Sequence, residues 1–419
     1  MEEKPNQELA LRRRAIRLKL KGLRPSDILR RIPRGRTWLF RWLKRFACSG
    51  WPGLKNNSKQ PKRSPHAYPL KSRTVVLGLR RAMHKRRLGL LGARAIQQEI
   101  RQQKLLHHLP SVATINRWLR TAGLLPPPAP APAAVFYPEP RVPTDYVLHA
   151  MEWTARYLEG RQKVFAFHTV NVVTRALAQT IATDKTGMTL HQHVLHAWQV
   201  LGLPDGLQLD NDITFTGGER TPRRFGSFVR LCLYLGIELV FVPPAEPQRN
   251  GVVEGVNSLW ARSFWNRYRF RSLQVVVSRR PQFLTWYMTQ YHPPVLEGRT
   301  PAQAQRTAHR QRLTRHQIHA LPEQLPITAG RIHFIRRVNA AGEIRLLGET
   351  WKVGKRFAHQ YVWATVSTQC QRLEIHHRCA AQAAAKLVRR FSYEVLEPVR
   401  PLRPEFKRRP QDRKKSPML

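Results

Sequence analysis

Acidic side chains are scarce in this chain: 26 Asp and Glu stand against 73 Lys and Arg in 419 residues, a formal net charge of +47. An excess of that size asks for a polyanionic partner, because a nucleic acid rewards many dispersed Lys and Arg with phosphate contacts and counterion release; a merely soluble basic protein is the bland alternative. Long apolar runs are also missing. No stretch of about 18 consecutive apolar residues is available to span a membrane, and MEEKPNQELA at the start lacks the apolar centre of a secretory signal, so the chain reads as intracellular. Cysteine is sparse. Cys48, Cys232, Cys370 and Cys379 lie far apart with no CxxC pair, which argues against a disulfide framework. HQIH (His316, His319) and HHRC (His376 to Cys379) approach metal-ligand spacing, but neither has a matching second pair nearby, so both read as ordinary surface or strand residues.

Helical signals fill the first 120 or so residues. Leu11, Ala15, Ile16, Leu18 and Leu20 fall at helical spacing before Gly22, a short helix follows Pro25 with Ile28 and Ile32 inward, and a third carries Leu39, Trp42, Leu43 and Phe46 after PRG. Three helices with a tight break before the last suit a helix-turn-helix module. The pattern recurs from Val75, Gly92 and Ser111, and RWLR at 117–120 echoes RWLK at 41–44. On the faces opposite the apolar stripes stand Arg34, Arg36, Arg41, Lys44 and Arg45 in the first unit and Thr114, Asn116, Arg117 and Arg120 in the second. These residue types contact phosphates and base edges, although a solvated basic face has the same composition.

LLPPPAPAPAAVFYPEPRVP, residues 124–143, is expected as an extended, semi-rigid spacer. Beyond it, DYVLHAMEW, KVFAFHTVNVVTRA and RALAQTIAT read as strands, followed by alternating helix and strand through GLQLDN, RRFGSFVRLCLYLG, IELVFVPP and GVVEGVNSLWARSFW. That order describes a mixed sheet with helices on its faces. From Ile327 to about Val399 five short strands, with a turn at NAAGE, suit a small barrel.

In so basic a chain, two aspartates within three residues raise a question. Asp210 ends the apolar strand GLQL, where an unpaired buried carboxylate is expensive. Phosphodiester chemistry uses divalent cations in pairs about 4 Å apart, and hard cations such as Mg²⁺ take carboxylate oxygens. Glu254 opens a helix after PPAEPQRNG; alone it reads as a helix-dipole partner.

Taken together, Asp210-Asn211 after GLQL, then Phe215, GIELVFVPP at 236–244 and EPQRNGVVEG at 246–255 resemble the DDE-type transposases of bacterial insertion sequences, which share their catalytic core with retroviral integrases. The resemblance in layout covers most of the chain. It implies a multidomain fold: tandem helix-turn-helix domains (1–62 and 68–124), a Pro-rich linker (125–143), an α/β RNase H-like core with a mixed sheet (144–310), a small C-terminal β-barrel (326–400) and a basic disordered tail (401–419). It also implies a catalytic and metal-binding triad of Glu152, Asp210 and Glu254, two Mg²⁺ or Mn²⁺ ions per site, double-stranded DNA as partner (element ends and target), a homo-oligomer on DNA, and a cytoplasmic, nucleoid-associated location in a bacterium.

Three departures stand out. The first acid is Glu152 where the family has aspartate, Asn171 takes a second-strand place commonly held by aspartate, and 43 residues separate Asp210 from Glu254, more than is usual, with GGERTPRR at 217–224 as the extra segment. Asp212 is expected as a turn residue, and Trp260 and Trp265 as core. Arg156, Arg249 and Arg262 are equally readable as phosphate partners or solvated surface. Two further readings stay open: a catalytically impaired, transposase-derived DNA-binding protein or regulator, and a general nuclease.

Overall fold

The computed structural model describes residues 3–56, 68–85, 91–125, 135–143, 145–216, 223–306 and 311–406. The chain divides into two compact units, Met1–Pro69 and Leu70–Leu419.

The first unit holds α1 (Glu3–Leu20), α2 (Pro25–Arg31) and α3 (Arg36–Ser49), followed by a single turn at Trp51–Leu54. Ala15, Ile16, Ile28, Ile32, Leu39, Trp42 and Leu54 are buried between them. Leu20, expected inward, is 64% exposed at the end of α1, beyond the reach of the other helices. Gly53 is required by packing: a Cβ there would lie 2.7 Å from the Arg45 carbonyl oxygen and 2.8 Å from Ser49 Cβ. Two guanidinium groups approach the Trp42 ring, Arg12 at 3.8 Å and Arg45 at 4.8 Å from its centroid.

The second unit begins with α4 (Leu70–Lys85), α5 (Ala93–Gln102) and α6 (Val112–Thr121), closed around Val76, Ile96, Ile100, Ile115 and Leu119. Ser111 caps α6 by accepting from Thr114 N at 3.2 Å.

The sheet starts with β1 (Leu148–Tyr157), β2 (Lys163–Asn171) and β3 (Leu177–Ala182), an antiparallel meander. Then come α7 (Gly187–Leu201), β4 (Gly206–Leu209), the one-turn α8 (Ile213–Thr216), α9 (Ser227–Tyr234), β5 (Glu238–Phe241), α10 (Gly251–Ser263) and α11 (Leu273–Thr289). β4 pairs parallel with β1, and β5 parallel with β4, giving the mixed α/β core expected from the strand–helix alternation. Alternate residues of β1 and β2 face opposite ways. Met151, Phe165 and Phe167 pack against α7 and α9, and Ala150, Val164, Ala166 and Val170 against α10 and α11.

The C-terminal strands are β6 (Arg331–Arg337), β7 (Glu343–Leu346), β8 (Glu349–Lys352), β9 (Tyr361–Ser367), β10 (Arg372–His377) and β11 (Lys386–Ser392). They do not stand apart from the core. β6 pairs parallel with β5 through Leu239↔Ile332 and Phe241↔Phe334, so one nine-stranded sheet runs β11-β10-β9-β6-β5-β4-β1-β2-β3. β7 and β8 form a separate hairpin; the segment IRLLGETWKV, expected as one strand, is folded back at Leu347 (φ 49°) and Gly348 (φ 83°), a positive-φ pair that suits a two-residue turn.

Parts of the semi-rigid spacer and of the tail expected to be disordered are attached to the core. Of the Pro-rich spacer, residues 135–143 lie along the sheet: Tyr137 is buried with Tyr146, Ile335, Tyr361 and Trp363, and Arg141 donates to the Ala383 carbonyl at 2.8 Å. Burial of the Tyr137 ring holds this segment, which has no regular secondary structure, against the sheet. Of the basic tail, Phe406 is buried, its ring against Tyr234 of α9; residues 407–419, like 126–134 of the spacer and 217–222 of GGERTPRR, lie outside the described residues. Among the described residues no helix is long and apolar enough to cross a membrane.

Candidate active site

β1 and β4 run parallel with Leu148 opposite Gly206 and Ala150 opposite Gln208. Continuing that register two places sets Glu152 level with Asp210, on the face that α10 covers. Asn250, buried just before α10, fixes the third element: its Nδ2 donates to the Met151 carbonyl at 3.1 Å, and its Oδ1 accepts from Gln208 Nε2 at 3.2 Å. One turn later on α10 is Glu254, half-buried, so the asparagine of the QRNG motif draws the start of the helix onto β1 and β4 at the level of the acids.

The electrostatics of Glu152 reflect the two other acids. Burial, and after it the charges of Asp210 and Glu254, raise the Glu152 carboxyl to about 7 against a hydrogen bond from Asn257. Burial likewise raises Asp210, with the Asp212 backbone hydrogen bond and Lys185 opposing it. Glu152 Oε2 is buried without a hydrogen-bond partner. Across the strand pair from Glu152 stands His168, fully buried and lowered to about 3 chiefly by desolvation, hence neutral and no counter-charge. Among the described residues no Lys, Arg or His makes an ion pair with Glu152, Asp210 or Glu254.

Asp212 answers to a different description. Its Oδ2 pairs with Lys185 Nζ at 2.9 Å, and its Oδ1 accepts from Thr214 N at 2.9 Å. Burial raises its carboxyl, but the Thr214 hydrogen bonds and Lys185 outweigh it and hold the group below its ordinary value. It starts the turn of α8, as expected of a turn residue. Lys185 also lies 3.9 Å from the Trp153 ring centroid.

A carboxylate set with a bare buried oxygen and no directly ion-paired protein cation is of the chemistry that suits a hard divalent ion. The set is not closed in advance: among the described residues no three His, Cys, Asp or Glu side chains are grouped as a ready ligand shell.

Several neighbours carry roles that the sequence did not announce. Asn211 donates through Nδ2 to the Val242 carbonyl and accepts from Arg336 Nη2 at 2.6 Å. Glu246 accepts from Tyr361 Oη at 2.7 Å and pairs with Arg249 at 3.0 Å, and the Arg249 guanidinium sits 4.2 Å from the Tyr137 ring centroid. Asn171 accepts from Val173 N and Thr174 N, both at 3.0 Å, and closes the β2–β3 turn. Trp260, expected as core, is fully buried and stacked on Phe264. Arg156 bends back to Thr154 Oγ1 at 2.8 Å.

The basic positions singled out on the helices lie in the trihelical parts, away in sequence from the acids. Arg36, Arg41 and Lys44 are exposed on α3, whereas Arg34 is ion-paired with Glu8 and the half-buried Arg45 donates to the Lys55 carbonyl at 3.0 Å. On α6, Arg117 and Arg120 are exposed and Thr114 and Asn116 half-buried.

No family model matches the chain. Similar solved structures include the integrase catalytic core domain of HTLV-2 in complex with magnesium (trimeric form), at 17% identity and TM-score 0.31, covering 39% of this chain and 99% of that chain. Another is the simian T-cell lymphotropic virus intasome in complex with a PP2A regulatory subunit, at 14% identity and TM-score 0.34, over 75% of this chain and 95% of that one. The catalytic core domain of BIV integrase matches at 18% identity and TM-score 0.27, over 37% and 91%. All three are retroviral integrases; at these TM-scores they lend no residue a role, and the roles given above rest on contacts within this chain.

Proposed function

We propose that this chain is a DDE-type transposase that binds the ends of a mobile DNA element and catalyses metal-dependent strand cleavage and strand transfer. The observation that carries the reading is Glu152: a half-buried carboxyl with a bare, buried oxygen, raised to about 7 by burial and by the charges of Asp210 and Glu254. Glu152, Asp210 and Glu254 are the residues that hold two Mg²⁺ or Mn²⁺ ions. When bound, the ions activate the attacking oxygen and stabilise the leaving oxygen of an in-line displacement at phosphorus. The protein's own share is positional: Asn250 sets α10 against β1 and β4, and Lys185 removes Asp212 from competition for the site. The reaction is attack by water on a phosphodiester to free a 3′-hydroxyl, then attack by that hydroxyl on target DNA, with no covalent enzyme intermediate.

Exposed Arg36, Arg41 and Lys44 on α3, and Arg117 and Arg120 on α6, with Thr114 and Asn116 beside them, supply the contacts to element ends in two helix-turn-helix modules. Arg34 and Arg45 stiffen the first module through Glu8 and Lys55. The partners are double-stranded DNA and further copies of the chain, in a bacterial cytoplasm at the nucleoid.

A second reading has a specific observation behind it. Glutamate at 152 carries one methylene more than aspartate, moving the carboxylate by about 1–1.5 Å on a fixed backbone, and the acids are not closed into a shell; both suit a DNA-binding protein that has lost catalysis. The deciding experiment offers end-containing DNA with Mg²⁺ or Mn²⁺ to the natural chain, Glu152→Asp and Glu254→Ala. Strand transfer by the natural chain, abolished in Glu254→Ala, supports the transposase. Activity gained only in Glu152→Asp supports the impaired form, and cutting that ignores end sequence points to a general nuclease.

A further inference from the structure

We infer that Arg336 is a positioning residue for Asp210, acting through Asn211, so that the C-terminal strands are part of the catalytic machinery rather than a separate appendage. The inference rests on Asp210 being a cation ligand, and its test separates the two. Arg336 lies two residues beyond Phe334, the last position of β6 paired with β5, and its side chain extends past the end of β5 to the turn that follows β4. It is 8% exposed. Nη2 donates to Asn211 Oδ1 at 2.6 Å, Nη1 to the Val242 carbonyl at 3.1 Å, and Nε to the Arg345 carbonyl at 3.3 Å, with the Phe334 ring centroid 5.1 Å from the guanidinium.

The Val242 carbonyl receives the Asn211 amide as well. Asn211 is thereby held at both ends of its side chain, its oxygen facing the guanidinium and its nitrogen facing a backbone carbonyl. Asparagine is suited to this, since it presents a donor and an acceptor, whereas an ionised aspartate has only acceptors. Arginine is suited as well: its planar fork reaches two acceptors at fixed separation, while a lysine ammonium is a single point. The backbone of Asp210 is one peptide away, about 3.8 Å between Cα atoms, so the restraint on Asn211 passes directly to the acid. The hydrogen bond spans 125 residues of sequence and joins β4, β5 and β6 at the site's edge.

The test uses the full chain, Arg336→Lys, Asn211→Ala and the double variant. The readouts are the Mg²⁺ concentration at half-maximal thermal upshift, hydrogen–deuterium exchange over residues 206–216 in metal-free protein, and the split between kcat and KM for DNA in strand transfer. Arg336→Lys is expected to raise the Mg²⁺ midpoint about 10–100-fold, the range seen when a group orienting a ligand is removed, to lower kcat more than it raises KM, and to speed exchange in 206–216 but not in β2 or α7. The double variant is expected to match Asn211→Ala alone. An unchanged Mg²⁺ midpoint with a lowered melting temperature, single effects that add in the double variant, or faster exchange across the whole sheet each overturns the inference. If Arg336→Lys does not fold, Asn211→Ala carries the same expectation, and an unchanged midpoint there is equally decisive. A natural chain with neither Mg²⁺ upshift nor strand transfer defeats the proposed function, and exchange over 206–216 still decides whether Arg336 braces the turn.

Discussion

Replacing Glu152 by glutamine isolates the electrostatic strain of the acidic site. The carboxyl's ordinary value of 4.5 is raised to about 7 in the folded chain, first by burial and then by Asp210 and Glu254. A raised acid binds more protons folded than unfolded between those two values, so it lowers stability as pH climbs from 4.5 to 7 and leaves a constant penalty above. At 1.36 kcal/mol per pH unit the penalty is about 3 kcal/mol. Glutamine keeps the shape and removes the charge. Glu152→Gln should therefore equal the natural chain below pH 4.5 and exceed it by up to about 3 kcal/mol above pH 7; at about 2–4 °C per kcal/mol for a domain of 150–250 residues, that is about 6–12 °C in the melting temperature of the sheet-bearing unit. Calorimetric scans at half-unit pH steps in chelator measure it. Millimolar Mg²⁺ at pH 8 should raise the melting temperature of the natural chain and do much less for the variant, because a bound cation relieves the same repulsion. A difference that does not change between pH 4 and pH 8, or a variant less stable than the natural chain at pH 8, refutes the reasoning.

Asn250→Ala removes the donor to the Met151 carbonyl and leaves Gln208 Nε2 only the Arg249 carbonyl; a loss of about 1–3 kcal/mol is expected, seen in thermal melts, with strand transfer falling because the start of α10 is released from β1. Tyr361→Phe removes the hydroxyl that Glu246 accepts and should cost about 0.5–1.5 kcal/mol, with Arg249 keeping its ion pair; titrating thermal stability across both variants reads the difference. Charge removal at Arg41, Lys44, Arg117 and Arg120 should lower affinity for element ends and flatten its salt dependence, since every phosphate that is no longer neutralised reduces the slope of log K against log salt by about 0.9; binding indifferent to ionic strength in the natural chain sinks the basic-surface argument.

How far the sequence reveals this molecule depends on the range over which each residue acts. α1 to α6 and β1 to β5 were legible because apolar periodicity is local, and Asp210 stood out because it ends a buried strand in a chain poor in acids. α11 was not marked: Pro281 interrupts it and Val275, Val276 and Val277 favour strands, yet burial of Val276, Phe283 and Tyr287 overrides propensity. Arg336 could not be singled out, being one of 73 basic residues whose partner appears only once β6 is laid beside β5. The same pairing makes the expected self-contained barrel a continuation of the core sheet.

The half-buried acids in and around the sheet differ in what compensates them, and that difference is what singles out Glu152 for the proposed site. Glu238 stands beside His333 and Arg331, Glu246 beside Arg249 and Tyr361, and Asp212 beside Lys185. Asp205 accepts from Val147 N at 2.6 Å. In a chain with a formal charge of +47, counter-charges are abundant, so leaving a buried carboxylate without one requires neighbours that exclude them. Around Glu152 those neighbours are a neutral His168, the apolar face of α10 and two more acids. Such an arrangement is unfavourable in the protein alone; under the proposed function a cation relieves it, beside the chain segments held by Asn211, Arg336 and Asn250.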